Sequence, residues 1–222
     1  MLHRWRIDDR EYERHESRRG RRHAFERIDP AATALVVVDM VPFFCEENPY
    51  ARGIVSNVNR LAAGLRSVGG TVAWVVPAPA EPDPVRVEFL GAEVAERYRS
   101  SGGEGPPRER LWRELRPAGA DLALEKTTAS ALFPGGSDLD ARLRARSIDA
   151  VLVAGTVANV CCESTARDAA TLGYRTVMVA DANAAGTDAE LNATLHTLYR
   201  SFGDVRTTDE LIALVGCSAA DG

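Results

Sequence analysis

Four short apolar runs, each stopped by a polar or turn residue and separated by amphipathic stretches, constrain this chain most. Thr33–Val38, Thr71–Val76, Ala150–Ala154 and Arg175–Ala180 have strand length and are rich in β-branched residues. Near-continuous apolar character of this length reads as a strand buried on both faces of a sheet. Between the first two, Ile54, Val58, Leu61, Leu65 and Val68 recur at helical spacing, and the pattern stops at Gly69 and Gly70. Further helices are expected over 159–172, 188–202 and 208–215, and further strands over 121–125 and near Val205. Strands alternating with helices build right-handed βαβ units. The expectation is an α/β fold, a three-layer α/β/α sandwich around a mainly parallel, six-stranded Rossmann-like sheet. Residues 80–119, rich in Pro, Gly and charge, interrupt the alternation as a long excursion holding one or two helices.

A chain of 222 residues, 45% hydrophobic, can build one large core. No apolar run approaches the ~20 residues of a membrane span, and the charged start at Leu2-His3-Arg4 lacks a secretory pattern. A cytoplasmic location is expected, with no membrane partner. A net charge of −5 argues against general nucleic-acid binding. Residues 1–30 form a separate charged arm of nine arginines and seven acids, expected to be solvated or to lie on a neighbouring subunit, and 31–222 form the main domain. Four cysteines are too few for a disulfide scaffold.

Of the 27 basic residues, 26 are arginine and one, Lys126, is lysine. A compact ammonium and a planar guanidinium differ in shape, hydration and ease of proton loss. The lone lysine therefore hints at a place where arginine fails. Ligands of open parallel sheets sit beyond the carboxyl ends of the strands. Strand one ends at Asp39, strand three at Lys126, and strand four leads through a turn to Cys161 and Cys162 at the start of a helix. A thiol there feels the helix dipole and a nearby ammonium, and a carboxylate in reach can take its proton. Backbone N–H groups at the same helix start can hold an oxyanion. Each residue also has an ordinary structural reading. A strand-terminal Asp caps turns, a lysine decorates surfaces, and Cys45, Cys217 and Cys162 read as inert packing. The convergence of three reactive types on one rim favours nucleophilic acyl transfer. No Gly-rich phosphate loop follows any strand, so no nucleotide cofactor is expected.

Three motifs carry a family resemblance. They are Ala34–Met40 with Phe43 and Phe44 following, Lys126–Phe133, and Gly155–Asp168 continuing to Leu172–Tyr174 and Asp181–Asn183. In order and spacing the chain resembles the isochorismatase-like cysteine hydrolase superfamily, which includes isochorismatases, nicotinamidases and N-carbamoylsarcosine amidases. The resemblance implies a catalytic triad of Asp39, Lys126 and Cys161. It also implies a cis peptide at Thr156–Val157 and an oxyanion hole built from the Val157 and Cys161 amides. Assembly as a homodimer or homotetramer is implied as well. Metal-dependent relatives carry histidines after the first strand, where this chain has Phe43-Phe44-Cys45-Glu46-Glu47, so no metal is expected. Relatives that cleave vinyl ethers lack the cysteine. Its presence here points to C–N cleavage of a small amide, carbamoyl compound or lactam through a thioester. The alternatives are an isochorismatase-type vinyl ether hydrolase and a non-catalytic member of the fold. Phe44, Trp74 and Phe133 are candidate pocket walls.

Overall fold

The computed structural model describes residues 1–79, 81 and 84–220, with side chains up to residue 216. Six strands, β1 (Thr33–Val38), β2 (Thr71–Pro77), β3 (Leu122–Lys126), β4 (Ala150–Thr156), β5 (Arg175–Ala184) and β6 (Asp204–Arg206), form one sheet. Their order is β3-β2-β1-β4-β5-β6, and every pairing is parallel. The helices are α1 (Asp9–Arg19), α2 (Pro42–Cys45), α3 (Pro49–Gly53), α4 (Val55–Ser67), α5 (Pro84–Leu90), α6 (Ala92–Arg99), α7 (Leu139–Arg144), α8 (Glu163–Thr171), α9 (Asp188–Ser201) and α10 (Thr208–Ala220). The architecture is the α/β/α sandwich expected from the sequence.

Period-two alternation divides the strand residues between two cores. Val36, Val38, Val75, Val153 and Met178 pack with Leu139 and Leu143 of α7, Ala166 of α8 and Leu195 of α9. Leu35, Val37, Trp74, Leu152 and Val179 pack on the other face with Val58, Leu61 and Leu65 of α4 and Leu211 of α10. Those three α4 side chains are fully buried, each worth roughly 1.5–3 kcal/mol of transfer free energy.

The strand order puts β1 and β4 at the centre, where the chain crosses from one half of the sheet to the other. A crevice opens at such a switch point beyond the carboxyl ends of the strands. Gly155 lets these two strands meet there. A Cβ on it would stand 2.1 Å from the Val38 carbonyl oxygen, and its φ is +121°. β5 continues past Asp181 because its register shifts between Val153 and Gly155. Asn183, inside this extension, donates through Nδ2 to the Val153 and Val179 carbonyls at 2.8 and 2.7 Å.

The N-terminal arm makes specific contacts with its own chain while most of its charged side chains are exposed. Asp8 caps α1 by accepting from the Arg10 amide, and Gly20 closes it in the left-handed region. Glu11 and His15 are buried. His15 Nε2–H donates to the Tyr199 carbonyl at 3.1 Å, and the Arg22 guanidinium lies 3.5 Å above the Tyr12 ring. Farther along, the Ala24 and Phe25 amides donate to the Asp204 carboxylate. Glu11 and Arg19 of the arm find charged partners in Arg200 of α9 and Asp204 of β6 of their own chain. Among the described residues no helix is long and apolar enough to cross a membrane.

Candidate active site

β1 delivers Asp39 one residue beyond its last ladder position. The Asp39 amide still donates to the Val75 carbonyl at 2.9 Å, but its φ is +52°, so the chain turns sharply there. An unstrained non-glycine residue rarely holds that conformation, and such residues cluster at functional sites. Lys126 ends β3, two strands away and so roughly 10 Å across the sheet. Its long stem brings Nζ to 2.8 Å from Asp39 Oδ2 and 3.0 Å from the Thr128 carbonyl oxygen. Both side chains are nearly sealed from solvent, at 3% and 1% exposure.

Cys161 comes from the other side of Asp39. After β4 the Thr156–Val157 peptide is cis. The chain then makes a π-helical turn, Ala158–Cys162, before α8. Single π-turns of this kind recur at functional sites because they re-aim one side chain out of the regular helical array. The Cys161 thiol lies beside the Asp39 side chain, and each group shifts the other's proton affinity, while the Val157 backbone adds a favourable contribution at the sulfur. Asp39 therefore stands between a thiol and an ammonium.

The electrostatics of the three groups follow from burial and mutual charge. Burial pushes the Asp39 carboxyl above its usual range, against the pull of the Lys126 ammonium and the neighbouring Cys161 thiol. Burial works against the Lys126 ammonium, but the Asp39 and Cys161 charges outweigh it and its pKa rises. Cys161 is pushed up to about 12, first by burial and then by the Asp39 charge, with Lys126 and the Val157 amide opposing. Burial and the Asp39 charge thus favour the proton on the Cys161 sulfur, next to the Asp39 side chain.

A cavity of about 150 Å³ opens against Asp39 and Lys126. Phe44 forms part of its wall, and Pro77 and Thr128 form others. Two further expected wall residues lie elsewhere. Trp74 is fully buried in the α4-side core, and its Nε1–H donates to Asp121 Oδ2 at 2.7 Å. Its position in the strand alternation turns it with Val72 and Val76 away from the rim, so it is a core residue. Phe133, 53% exposed, lines a separate neighbouring depression with Ser130, Ser164 and Arg167. Residues from the excursion line the cavity instead: Arg86 of α5, Tyr98 and Arg99 of α6, and Ser101. They sit in short helices and turns without a core face, so no sequence periodicity singles them out.

Of the other cysteines, Cys162 is fully buried against the α8-side core and Cys45 against the opposite one. Burial pushes the Cys45 thiol up to about 12. The Cys217 side chain lies outside the described residues. Among the described residues no group of three or more His, Cys, Asp or Glu is placed to hold a metal ion.

Comparison with known proteins agrees with the fold and shows the family. A ureidoacrylate amidohydrolase, RutB, from Variovorax paradoxus is 30% identical over 206 residues, covering 81% of this chain and 80% of the relative. The crystal structure of a cysteine hydrolase from Pseudomonas syringae pv. phaseolicola superposes with a TM-score of 0.76 at 29% identity, covering 88% of this chain and 97% of that one. That of N-carbamoylsarcosine amidase from Thermoplasma acidophilum gives 0.66 at 32% identity, covering 80% and 96%. Residues 33–210, all six strands included, match the family model described as the Isochorismatase domain, and the chain belongs to the isochorismatase family of hydrolases.

Proposed function

We propose that this hydrolase cleaves a C–N bond of a small amide, carbamoyl compound or lactam, without a metal, through a thioester on Cys161. The observation that carries this reading is the position of Asp39, which holds the Lys126 ammonium at 2.8 Å and neighbours the Cys161 thiol. Relatives described as amidohydrolase, amidase and cysteine hydrolase support the same chemistry.

The steps follow from the geometry. Cys161 transfers its proton to Asp39 as sulfur bonds to the substrate carbonyl carbon, and the C=O π pair moves onto oxygen. The Val157 and Cys161 amides stabilise that oxyanion. Its collapse breaks the C–N bond, and the nitrogen leaves with the proton Asp39 received. Water then gives a proton to Asp39 and attacks the thioester, and the cysteine sulfur departs and recovers its proton. Lys126 keeps its charge throughout. It holds Asp39 as a carboxylate despite burial and offsets negative charge on the reacting sulfur. A cavity of about 150 Å³ suits a small substrate.

One observation favours a second reading. Asp39 and Lys126 line the cavity, whereas Cys161 is not among its lining residues. A vinyl ether hydrolase would use the acid to protonate carbon and leave the thiol idle. Steady-state assays of Cys161→Ala on an amide and carbamoyl panel and on isochorismate separate the two. Loss of all amide turnover with a folded protein supports the thioester route. Retained isochorismate hydrolysis in Cys161→Ala, abolished in Asp39→Ala, supports the second.

A further inference from the structure

A second concave site lies along α4, away from the catalytic rim, with about 820 Å³ of space. It shares no lining residue with the catalytic cavity. Five of its lining residues are arginines, Arg52, Arg60, Arg66, Arg113 and Arg116, against one carboxylate, Glu114. This concentration of positive charge stands out on a chain whose net charge is −5. We propose that the groove binds a compact anion carrying at least two phosphate groups, such as a pyrophosphate or nucleoside diphosphate moiety.

The chemistry of the arginines favours that ligand. Arg113 and Arg116 have no carboxylate ion pair among the described residues, and Arg113 lies 4.6 Å over the Trp112 ring. Among the described residues the ion pair of Arg60 is with the exposed Asp209, a contact a ligand can replace at little cost, and Arg60 also donates to Asn57 Oδ1 at 3.4 Å. Arg66 is fixed by two bonds to the buried Asp121 carboxylate, at 2.9 and 2.6 Å. Planar guanidinium forks match phosphate oxygens in pairs. Arg60 on α4 and Arg113 and Arg116 on the facing loop line the groove from two different segments, while the Arg66 fork stays on Asp121. Two linked phosphates can offer separate oxygens to the helix arginine and to the loop arginines.

The groove is also preorganised. Asn59 of α4 donates through Nδ2 to the Glu114 carbonyl and accepts from the Arg116 amide through Oδ1, both at 2.9 Å. This clamp holds the loop bearing Arg113 and Arg116 against the helix, so little ordering is left for ligand binding to impose. The enclosed volume falls in the ordinary range of small-molecule sites. A long nucleic acid would meet the net negative remainder of the surface, which favours a compact occupant.

Calorimetric titration of inorganic pyrophosphate into the full chain at low salt tests the proposal. One pyrophosphate per chain is expected, with affinity falling as salt rises. Arg113→Ala/Arg116→Ala should bind at least about tenfold more weakly, a change of ~1.4 kcal/mol, with unchanged melting temperature and hydrolase activity. Arg86→Ala, in the catalytic cavity, should bind pyrophosphate as the unaltered protein does. Absence of saturable binding would overturn the proposal. So would equal binding in the double variant, or loss of binding in Arg86→Ala alone. A single-stranded RNA 20-mer binding through Arg113 and Arg116 more tightly than pyrophosphate would overturn it in favour of a nucleic-acid surface.

Discussion

Replacing Lys126 by methionine leaves the stem but removes the charge, and the structure sets the size of the effect. Lys126 and Asp39 are 3% and 1% exposed with 2.8 Å between Nζ and Oδ2, so neither charge can turn to water for compensation. Deleting one partner of such a pair costs about 3–5 kcal/mol, because the other is left buried and unpaired. The pH dependence has a definite sign. Asp39 already binds its proton more tightly in the folded state than in the unfolded chain. Ionising it on raising the pH above the unfolded value therefore costs stability, and without Lys126 that cost grows. Urea unfolding should accordingly give a deficit of about 3–5 kcal/mol for Lys126→Met at pH 8. At pH 5 the deficit should be smaller by ~1 kcal/mol or more, since protonation of Asp39 removes the orphaned charge. Lys126→Met/Asp39→Asn removes both charges, and Asn tolerates the positive φ of position 39. The double variant should be more stable at pH 8 than Lys126→Met alone. A deficit below ~1 kcal/mol, or a double variant whose loss equals the sum of the two single losses, would refute the buried-pair reasoning.

Gly155→Ala should cost roughly 3 kcal/mol or more, because the new methyl meets the Val38 carbonyl oxygen at 2.1 Å and the Val38 nitrogen at 2.7 Å. Gly173→Ala, also at positive φ but with open space around its Cβ, should cost only about 1–2 kcal/mol; thermal melts compare the two. Trp74→Phe should lose about 1–3 kcal/mol by leaving Asp121 without the indole donor, yet keep its kcat/KM, which assigns Trp74 to the core. Asp39→Asn should raise the rate of Cys161 alkylation by iodoacetamide at pH 8 while abolishing turnover. The Asp39 charge holds the thiol pKa up, and its removal leaves Lys126 to favour thiolate. An unchanged or slower alkylation rate would contradict this electrostatic assignment.

The sequence exposes much of this fold because both faces of the sheet are buried. That condition writes Thr33–Val38 and Ala150–Ala154 as apolar runs whose ends are abrupt, and the ends are where Asp39 and the turn toward Cys161 begin. Lys126 ends an edge strand with only alternate residues buried, so the arginine bias was its clearer signal. Asp181 looked like a terminator of β5, but the strand bulges past it and Asn183 satisfies two carbonyls inside the sheet. An aromatic near a strand end does not declare its face, and Trp74 belongs to the core by its parity with Val72 and Val76. The arm's charge pattern hid contacts made across more than 170 residues, such as Tyr199 with Arg22. Arg86 and Tyr98 reach the catalytic cavity from helices that carry almost no core. Their place depends on tertiary packing alone.

The central claim is that Cys161 carries the acyl group. Acid quenching of the enzyme during turnover of a hydrolysed amide or carbamoyl substrate, followed by intact and peptide mass spectrometry, tests it directly. The account predicts a mass increase equal to the substrate's acyl fragment, located on Cys161 and lost on treatment with hydroxylamine. Rapid quenching that catches full burst turnover with no adduct, together with a Cys161→Ala variant that hydrolyses the same substrate at the normal rate, would contradict it.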